Sequence, residues 1–387
     1  MAIYFISAFF IYLYGIVTHA NKNNFRRKRF IILSFALLII ISGLRAPSVG
    51  IDISKHYARR FYEIANYSWV EVPRFSLITG YEIGYCLFTK LLTVFSTDIH
   101  LYIIVCSVLI YSSIGYFIYK TSDDVVMSVM LFIFSCLYYM FMNIMRQGLA
   151  VAIVLFGYVL LDNSNRKLKN YIVFLSMIFL ASTFHESAIL CVVMVIFDRL
   201  KFTRKQLLLG ALAVAGIYVF YNRLYVTVLR LFGAGNNYER YLTSATEGIG
   251  NLNIQTIYNF LLTIFAFVLG YYFLVWKKKK IKTLKENEEN VYQLGNRESF
   301  MLYMTLIAST CRLLIFQMNV INRFSYFFVP FMLVLYPHAL SFEKSVSNRR
   351  ILKSSVYVLF LIYFVWITVS YASALYGVVP YKFIWQQ

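Results

Sequence analysis

Along the chain, apolar runs long enough to cross a bilayer alternate with short clusters of Lys and Arg. A run of about 20 apolar residues spans a hydrocarbon core of about 30 Å, so each such run predicts a transmembrane helix. Spans are predicted over 2–18, 30–44, 99–119, 125–143, 147–161, 170–184, 187–198, 206–222, 255–276, 299–317, 323–340 and 354–376. The basic clusters lie at Lys22–Arg29, Arg166–Lys169, Arg199–Lys205, Lys277–Lys285 and Lys344–Lys353. The positive-inside rule places all five in the cytoplasm, which puts both termini outside and requires about twelve crossings. Ala2–Thr18 has neither a basic n-region nor a small-residue cleavage site, so it reads as the first span and not as a leader.

Two stretches resist this simple reading. Tyr81–Phe95 is apolar on one side but short, and it carries Glu82 and Lys90. Letting it cross would turn every later basic cluster outward, so it is expected to lie at the outer interface or to re-enter partway. Tyr171–Phe197 is short for two spans, yet both flanks are basic and demand an even number of passes. Two short helices meeting at His185 satisfy both demands. A turn sunk in this way must line a water-filled cavity or be buried in protein.

The expected fold class is therefore an all-α integral membrane protein, a single transmembrane domain over 1–387 arranged as a polytopic bundle of about twelve helices. Loops 45–98, with the amphipathic helix, and 223–254 face the extracytoplasmic side, while 277–298 is a Lys- and Glu-rich cytoplasmic connector. Composition agrees: 60% of residues are hydrophobic and 14% charged, against about 25% charged in soluble domains. The net charge of +20 does not imply a nucleic-acid partner, because the cations sit in short loops where they set topology. The cysteines Cys86, Cys106, Cys136, Cys191 and Cys311 form no C-x-x-C pair and give no metal or disulfide signal. There is no phosphate-binding glycine loop and no D-x-D in the outer loops, so neither a cofactor nor a divalent metal is indicated.

Three apolar blocks are interrupted near their centres. Arg146 breaks Val125–Leu161, His185-Glu186 breaks Tyr171–Phe197, and Asn322-Arg323 breaks Phe300–Leu340. A cation at bilayer depth costs roughly 2.5–3.5 kcal/mol on insertion scales and marks a functional site by default. The three breaks suggest helical hairpins whose tips point at one place. Polar residues assigned to the outer side are Arg45, Asp52, His56, Arg59, Arg60, Glu82, Arg146, Gln147, His185, Glu186, Arg312, Asn322 and Arg323. Several cations in one cavity repel unless an anion joins them, and charge-assisted bonds to phosphate contribute roughly 1.5–3 kcal/mol each. A diphosphate fits, held by Arg146, Arg323, Arg45 and Arg312. Outside the cytoplasm no ATP is at hand, so a bond-forming substrate must carry its own leaving group, as a polyprenyl-diphosphate-linked sugar does. His185, Asp52 and Glu82 are then the candidate bases for the attacking hydroxyl, with Gln147, His56, Asn322 and Tyr326 positioning substrate. Against this stand plainer roles. Arg146 can snorkel to headgroups, Arg45 can anchor a helix end, Arg59 and Arg60 can be surface residues, and most of the 33 Tyr and 36 Phe can face lipid.

At these residues the chain resembles the EpsG family of Wzy-type polysaccharide polymerases. The resemblance lies in Gly43-Leu44-Arg45, Val49-Gly50-Ile51-Asp52 and Tyr57, then Tyr81-Glu82-Ile83-Gly84-Tyr85, Arg146-Gln147-Gly148-Leu149-Ala150, His185-Glu186-Ser187-Ala188, and Asn322-Arg323 with Tyr326. It covers about residues 40–340 in the family's order. Two positions depart from it: Glu186 stands where an aromatic is common, and Ile51 where a Thr is common. The resemblance implies a glycosyltransferase of the bacterial cell membrane, with its active site on the extracytoplasmic side. It would polymerise undecaprenyl-diphosphate-linked oligosaccharide repeat units, as donor and acceptor, into a capsular, exo- or O-antigen-type polysaccharide. Membrane lipid is an expected partner, and chain-length regulator and flippase proteins are candidate ones. A flippase of the same lipid-linked oligosaccharide is the alternative, but flippases generally show two repeated halves, and here the polar residues concentrate on one side. A membrane O-acyltransferase would need an inner-side His or Arg constellation at membrane depth, which is missing.

Overall fold

The computed structural model describes residues 1–162, 165–220, 223, 254–277, 294–316 and 321–386. Among these there is no strand, and the chain is a succession of helices. It divides into two compact units, Met1–Val192 with Lys344–Gln387, and Val193–Glu343.

The first unit holds α1 (Ala2–Val17), α2 (Asn24–Gly43), a π-turn at Ile53–Tyr57, α3 (Ala58–Ala65), α4 (Val72–Thr79) and α5 (Ile83–Phe95). It continues with α6 (Ile99–Thr121), α7 (Val125–Phe134), α8 (Leu137–Asn143), α9 (Met145–Asp162) and α10 (Leu168–Ser182), and closes with α17 (Val346–Ser370). Helices α2, α6, α9 and α10 pack in a row, each against the next. Without a hydrophobic drive between helices in lipid, close approach of backbones does the work, and small residues permit it. Ser42 and Ser107 share a hydroxyl hydrogen bond of 2.8 Å between α2 and α6. A Cβ on Gly115 would stand 2.8 Å from the Phe35 ring.

The second unit holds α11 (Val193–Arg199), α12 (Arg204–Val219), α13 (Ile254–Tyr271), α14 (Asn296–Leu314), α15 (Ile321–Ser325) and α16 (Pro330–Ser341). Helix α13 packs against α14 and α16, and Tyr336 donates to the Leu262 carbonyl at 2.7 Å.

Among the described residues, four helices are long and apolar enough to cross a membrane: Ile99–Thr121, Met145–Asp162, Ile254–Trp276 and Val346–Ser370. A fifth span is formed if α7 and α8 count as one element bent by 59°. The protein is thus a helical, multi-pass membrane protein. Where the sequence predicts one straight span over 125–143, the chain breaks at Ser135-Cys136, because Cys136 adopts the left-handed conformation (φ 59°) that ends a helix and turns it. The span predicted over 323–340 is likewise two pieces. Pro330 stands in the first turn of α16, where its missing N–H needs no partner, and the turn at 326–329 separates α15 from α16. Arg146, expected at a hairpin tip, instead lies in the first turn of α9, with a single residue, Ile144, separating α8 from α9. Most of the expected loop 223–254, and 278–293 of the expected loop 277–298, lie outside the described residues.

The C-terminal tail runs back along the 44–50 segment. Ala46 donates to the Lys382 carbonyl, Ile384 to that of Leu44 and Gly50 to that of Gly377, each at 2.9 Å. Nothing in the hydropathy pattern signals this strap, because its bonds are backbone to backbone.

Candidate active site

Three helix ends of the first unit meet around the carboxylate of Glu82. Helix α4 stops at Gly80, which takes the left-handed conformation (φ 70°) that a side chain disfavours. The chain then extends through Tyr81 and Glu82, with the Ser76 hydroxyl donating to the Tyr81 carbonyl at 2.6 Å. Helix α5 begins hard against the end of α10: the Tyr85 N–H donates to the Thr183 carbonyl at 3.1 Å. A Cβ on Gly84 would lie 2.1 Å from the Thr183 hydroxyl and 2.8 Å from its carbonyl oxygen. Only glycine fits there, and that closeness carries Glu82 to the break after α10.

The break itself brings His185 inward. The Phe184 and His185 N–H groups both donate to the Ala181 carbonyl at 3.0 Å, after which a 3₁₀ segment, Glu186–Val192, continues the chain. His185 is buried, at 6% exposure. Its Nδ1 lies 3.1 Å from Glu82 Oε1, which also accepts the Glu186 N–H at 2.9 Å. The second carboxylate oxygen accepts from the Arg146 guanidinium. One carboxylate therefore joins the cation and the imidazole that the sequence placed in different apolar blocks. Burial raises the Glu82 carboxyl, but the His185 hydrogen bond, the Arg146 charge and the Glu186 N–H outweigh it and hold it below the ordinary carboxylate range.

Arg146 has a second set of contacts. Its guanidinium stands over the Tyr81 ring at 4.7 Å and the Tyr85 ring at 5.9 Å, and its backbone N–H donates to the Tyr57 hydroxyl at 3.4 Å. Arg60 stands over the same Tyr81 ring at 5.0 Å while pairing with Glu63. Two guanidiniums thus contact one aromatic ring, each within cation–π range. Burial, followed by the Asp52 charge, pushes the Tyr57 hydroxyl up, so it stays protonated. From the sequence, Tyr57 and Tyr81 enter only through the family resemblance, with no role assigned, and Arg60 is read as an outer-side residue with a surface role.

Of the other predicted residues, Asp52, His56, Gln147 and Arg45 belong to the first unit and Arg312, Asn322, Arg323 and Tyr326 to the second. Asp52 is half-buried in the 45–98 segment, its N–H 3.5 Å from the Asn143 side-chain oxygen. His56 is exposed on the π-turn. Gln147 is buried beside Arg146. Arg45 is fully enclosed, at 0% exposure. Its Nε donates to the Val49 carbonyl, one terminal nitrogen to the carbonyl and hydroxyl of Ser42, and the other to the Met142 carbonyl and the Met145 sulfur. Since a guanidinium has five N–H donors, none remains for a diphosphate, and Arg45 instead fastens the 44–50 segment to the end of α8. In the second unit, Arg312 is also buried and donates to the Asn259 carbonyl at 2.6 Å and the Thr263 hydroxyl at 2.9 Å. That ties α14 to α13. Arg323 is exposed on α15. Asn322 donates to the Tyr326 hydroxyl at 3.1 Å and accepts from Ser325, so both close the α15 turn.

A groove of about 470 Å³ begins next to the cluster. On α9 it is lined by Leu149, Ala152, Ile153 and Phe156, and it is closed by Phe88 and Phe184. Leu149 is three residues after Arg146 and Ile153 seven, so the groove continues the helix face that carries the guanidinium. Among the described residues, no group of three or more His, Cys, Asp or Glu side chains is placed to hold a metal ion.

A carboxylate here joins an arginine to an imidazole at helix breaks of a multi-pass helical membrane protein, an arrangement of the kind found at functional sites. The EpsG family profile matches residues 28–383, nearly the whole chain, and the protein belongs to that family of Wzy-type polymerases. The family makes it a membrane polysaccharide polymerase of glycosyltransferase type. No curated protein and no solved structure matches the chain.

Proposed function

We propose that the protein joins oligosaccharide repeat units carried on polyprenyl diphosphate, undecaprenyl diphosphate in bacteria, at the extracytoplasmic face of the cytoplasmic membrane. The observation that carries this reading is the Arg146–Glu82–His185 cluster at the head of an apolar groove. An anion-binding cation and a proton acceptor lie together where a lipid tail has somewhere to go. The groove follows α9 for about 10 Å at 1.5 Å per residue, and its volume lies within the roughly 300–1,000 Å³ of ligand sites.

In this mechanism Glu82 orients rather than accepts. Three donors converge on its carboxylate, and with Nδ1–H directed to it the His185 ring presents Nε2 as the basic atom. The sugar hydroxyl of the acceptor gives its proton to Nε2 as its oxygen bonds to the anomeric carbon of the donor. The bond from that carbon to the diphosphate oxygen breaks, and polyprenyl diphosphate departs with the electron pair. Arg146 stabilises the growing charge, with Arg60 near by across Tyr81. Preorganised cations aimed at developing charge are commonly the largest part of such catalysis. Asp52 remains the second candidate base, and the exposed Arg323 a separate candidate for holding substrate anion. Arg45 and Arg312 belong to the scaffold.

The test is reconstitution of the purified full-length protein in nanodiscs with the lipid-linked repeat unit alone, products being resolved on a gel. A ladder spaced by one repeat unit, lost in Arg146→Ala and His185→Ala, is the expected result. A single unchanged band from protein that retains the substrate overturns the reading in favour of a flippase.

A further inference from the structure

A second cavity lies at the other end of the first unit, where α1 leaves for α2 and α17 begins. It has a volume of about 590 Å³ and is lined by His19, Asn21, Lys22 and Lys353 with Ile16 and Val126. An apolar slot of about 290 Å³ continues from it, lined by Ala8 and Phe9 of α1, Leu361 and Phe364 of α17, and Met130 and Phe134 of α7. Tyr12 and Tyr357 belong to both, with rings 5.7 Å apart. From Lys353 to Phe364 the combined groove extends about 16 Å along α17 at 1.5 Å per residue, which is close to one leaflet of a hydrocarbon core of about 30 Å.

The polar end is cationic. Lys353 pairs with Asp124, and Asp124 also accepts from Asn21 at 2.7 Å. Lys22 lines the same cavity, and the Arg26 guanidinium bonds the Thr18 carbonyl at 3.2 Å. Where cavity and slot join, the Tyr357 hydroxyl is buried with no hydrogen-bond partner among the described residues. A buried hydroxyl without a partner is unfavourable, so this position favours a ligand that brings an oxygen. Around the groove, Phe9, Leu13 and Val17 are exposed and apolar, a surface suited to the bilayer.

We propose that this groove binds one anionic phospholipid: the phosphate on Lys22 and Lys353, an oxygen of the headgroup or ester on the Tyr357 hydroxyl, and an acyl chain in the slot. The site is separate from the Glu82 cluster and does not depend on the polymerase reaction. The test uses delipidated full-length protein in detergent, offered phosphatidylglycerol, phosphatidylcholine with the same chains, or inorganic phosphate, with retained lipid read by native mass spectrometry. Phosphatidylglycerol is expected to be retained at about one per protein and phosphatidylcholine far less. Lys22→Gln should lower retention about fivefold, the equivalent of about 1 kcal/mol for one lysine beside anionic lipid. Tyr357→Phe and Leu361→Trp, the latter reaching into the slot from an exposed position, should lower it as well. Equal retention of both lipids overturns the proposal, as does retention unaffected by all three substitutions. Displacement of phosphatidylglycerol by inorganic phosphate alone also overturns it, by showing a headgroup site without a lipid.

Discussion

If Glu82 is the hub of the site, replacing it must be felt by two partners at once, and a set of double-mutant cycles measures this. Glu82→Gln keeps the shape and an acceptor oxygen but removes the charge. Breaking a buried pair by removing one partner costs roughly 3–5 kcal/mol. The side chains of Arg146 and Glu82 retain 21% and 14% exposure, so the expected cost is nearer 2–3 kcal/mol. Arg146→Gln should cost a similar amount, and the double substitution less than the sum, with a coupling of about 2 kcal/mol. The assay is unfolding in mixed micelles followed by far-ultraviolet circular dichroism, with the polymerisation rate measured on the same samples. Glu82→Gln should also slow polymerisation by about 100-fold or more, because the imidazole loses the group that orients it. Additivity within about 0.5 kcal/mol would refute the pairing, and a rate within threefold of wild type at unchanged stability would refute the orienting role. The pH dependence adds a check of sign. The Glu82 carboxyl is held below its ordinary value, so its stabilising contribution is complete above the unfolded value of about 4.3. That contribution is lost as pH falls through the lower folded value. Wild-type stability should not vary through Glu82 between about pH 6 and 8, and an acid loss should be absent from Glu82→Gln.

Three further substitutions probe the surroundings. Gly84→Ala forces a Cβ into the Thr183 hydroxyl and carbonyl, so it should cost roughly 1–3 kcal/mol, lowering the midpoint of thermal unfolding and the polymerisation rate together. Arg45→Lys replaces five donors by three and leaves buried carbonyls unmet. A loss of about 2–4 kcal/mol in denaturant unfolding is expected, with no change in the affinity for a lipid diphosphate in whatever protein folds. Ala152→Trp fills the apolar groove. It should raise KM for a substrate with a full-length polyprenyl tail and spare one with a short tail, in a steady-state comparison of the two.

The sequence carried the membrane class and the polar interruptions because both are one-dimensional signals. A span is a run of apolar residues, and a cation within it stands out whatever the fold. Pairing was legible only in part. Arg146, Glu82 and His185 each stand out in the sequence as candidates, with Glu82 grouped among the bases. That a third residue would occupy it from one side and an imidazole from the other depends on Gly84 letting α5 touch α10, and spacing along a chain does not encode such contact. The same limit explains Cys136 and Pro330. Pro330 in the first turn of α16 is a sequence signal for a helix start, whereas a cysteine in a left-handed conformation announces nothing.

Arg45 shows how burial reverses the meaning of a charge. At the edge of an apolar run a guanidinium attracts the same reading whether it serves substrate or scaffold, since the insertion cost is the same. What decides is where its donors go. Those of Arg45 end on protein carbonyls, a hydroxyl and a sulfur, so it needs no ligand. Arg146 is balanced by a carboxylate instead. Carbonyls fix a guanidinium without compensating its charge, whereas a carboxylate compensates it and also competes with any incoming anion. In the proposed reaction a diphosphate would therefore have to share Arg146 with Glu82 or draw it away, at an expense comparable to the coupling of about 2 kcal/mol predicted above. If the arginine is drawn away, Glu82 loses its cation and holds the His185 proton more strongly, raising the basicity of the ring at the moment the donor arrives. Substrate binding and base activation are then one event, and Glu82→Gln should abolish any rise in the His185 pKa that a diphosphate lipid induces, as measured by NMR of the labelled imidazole.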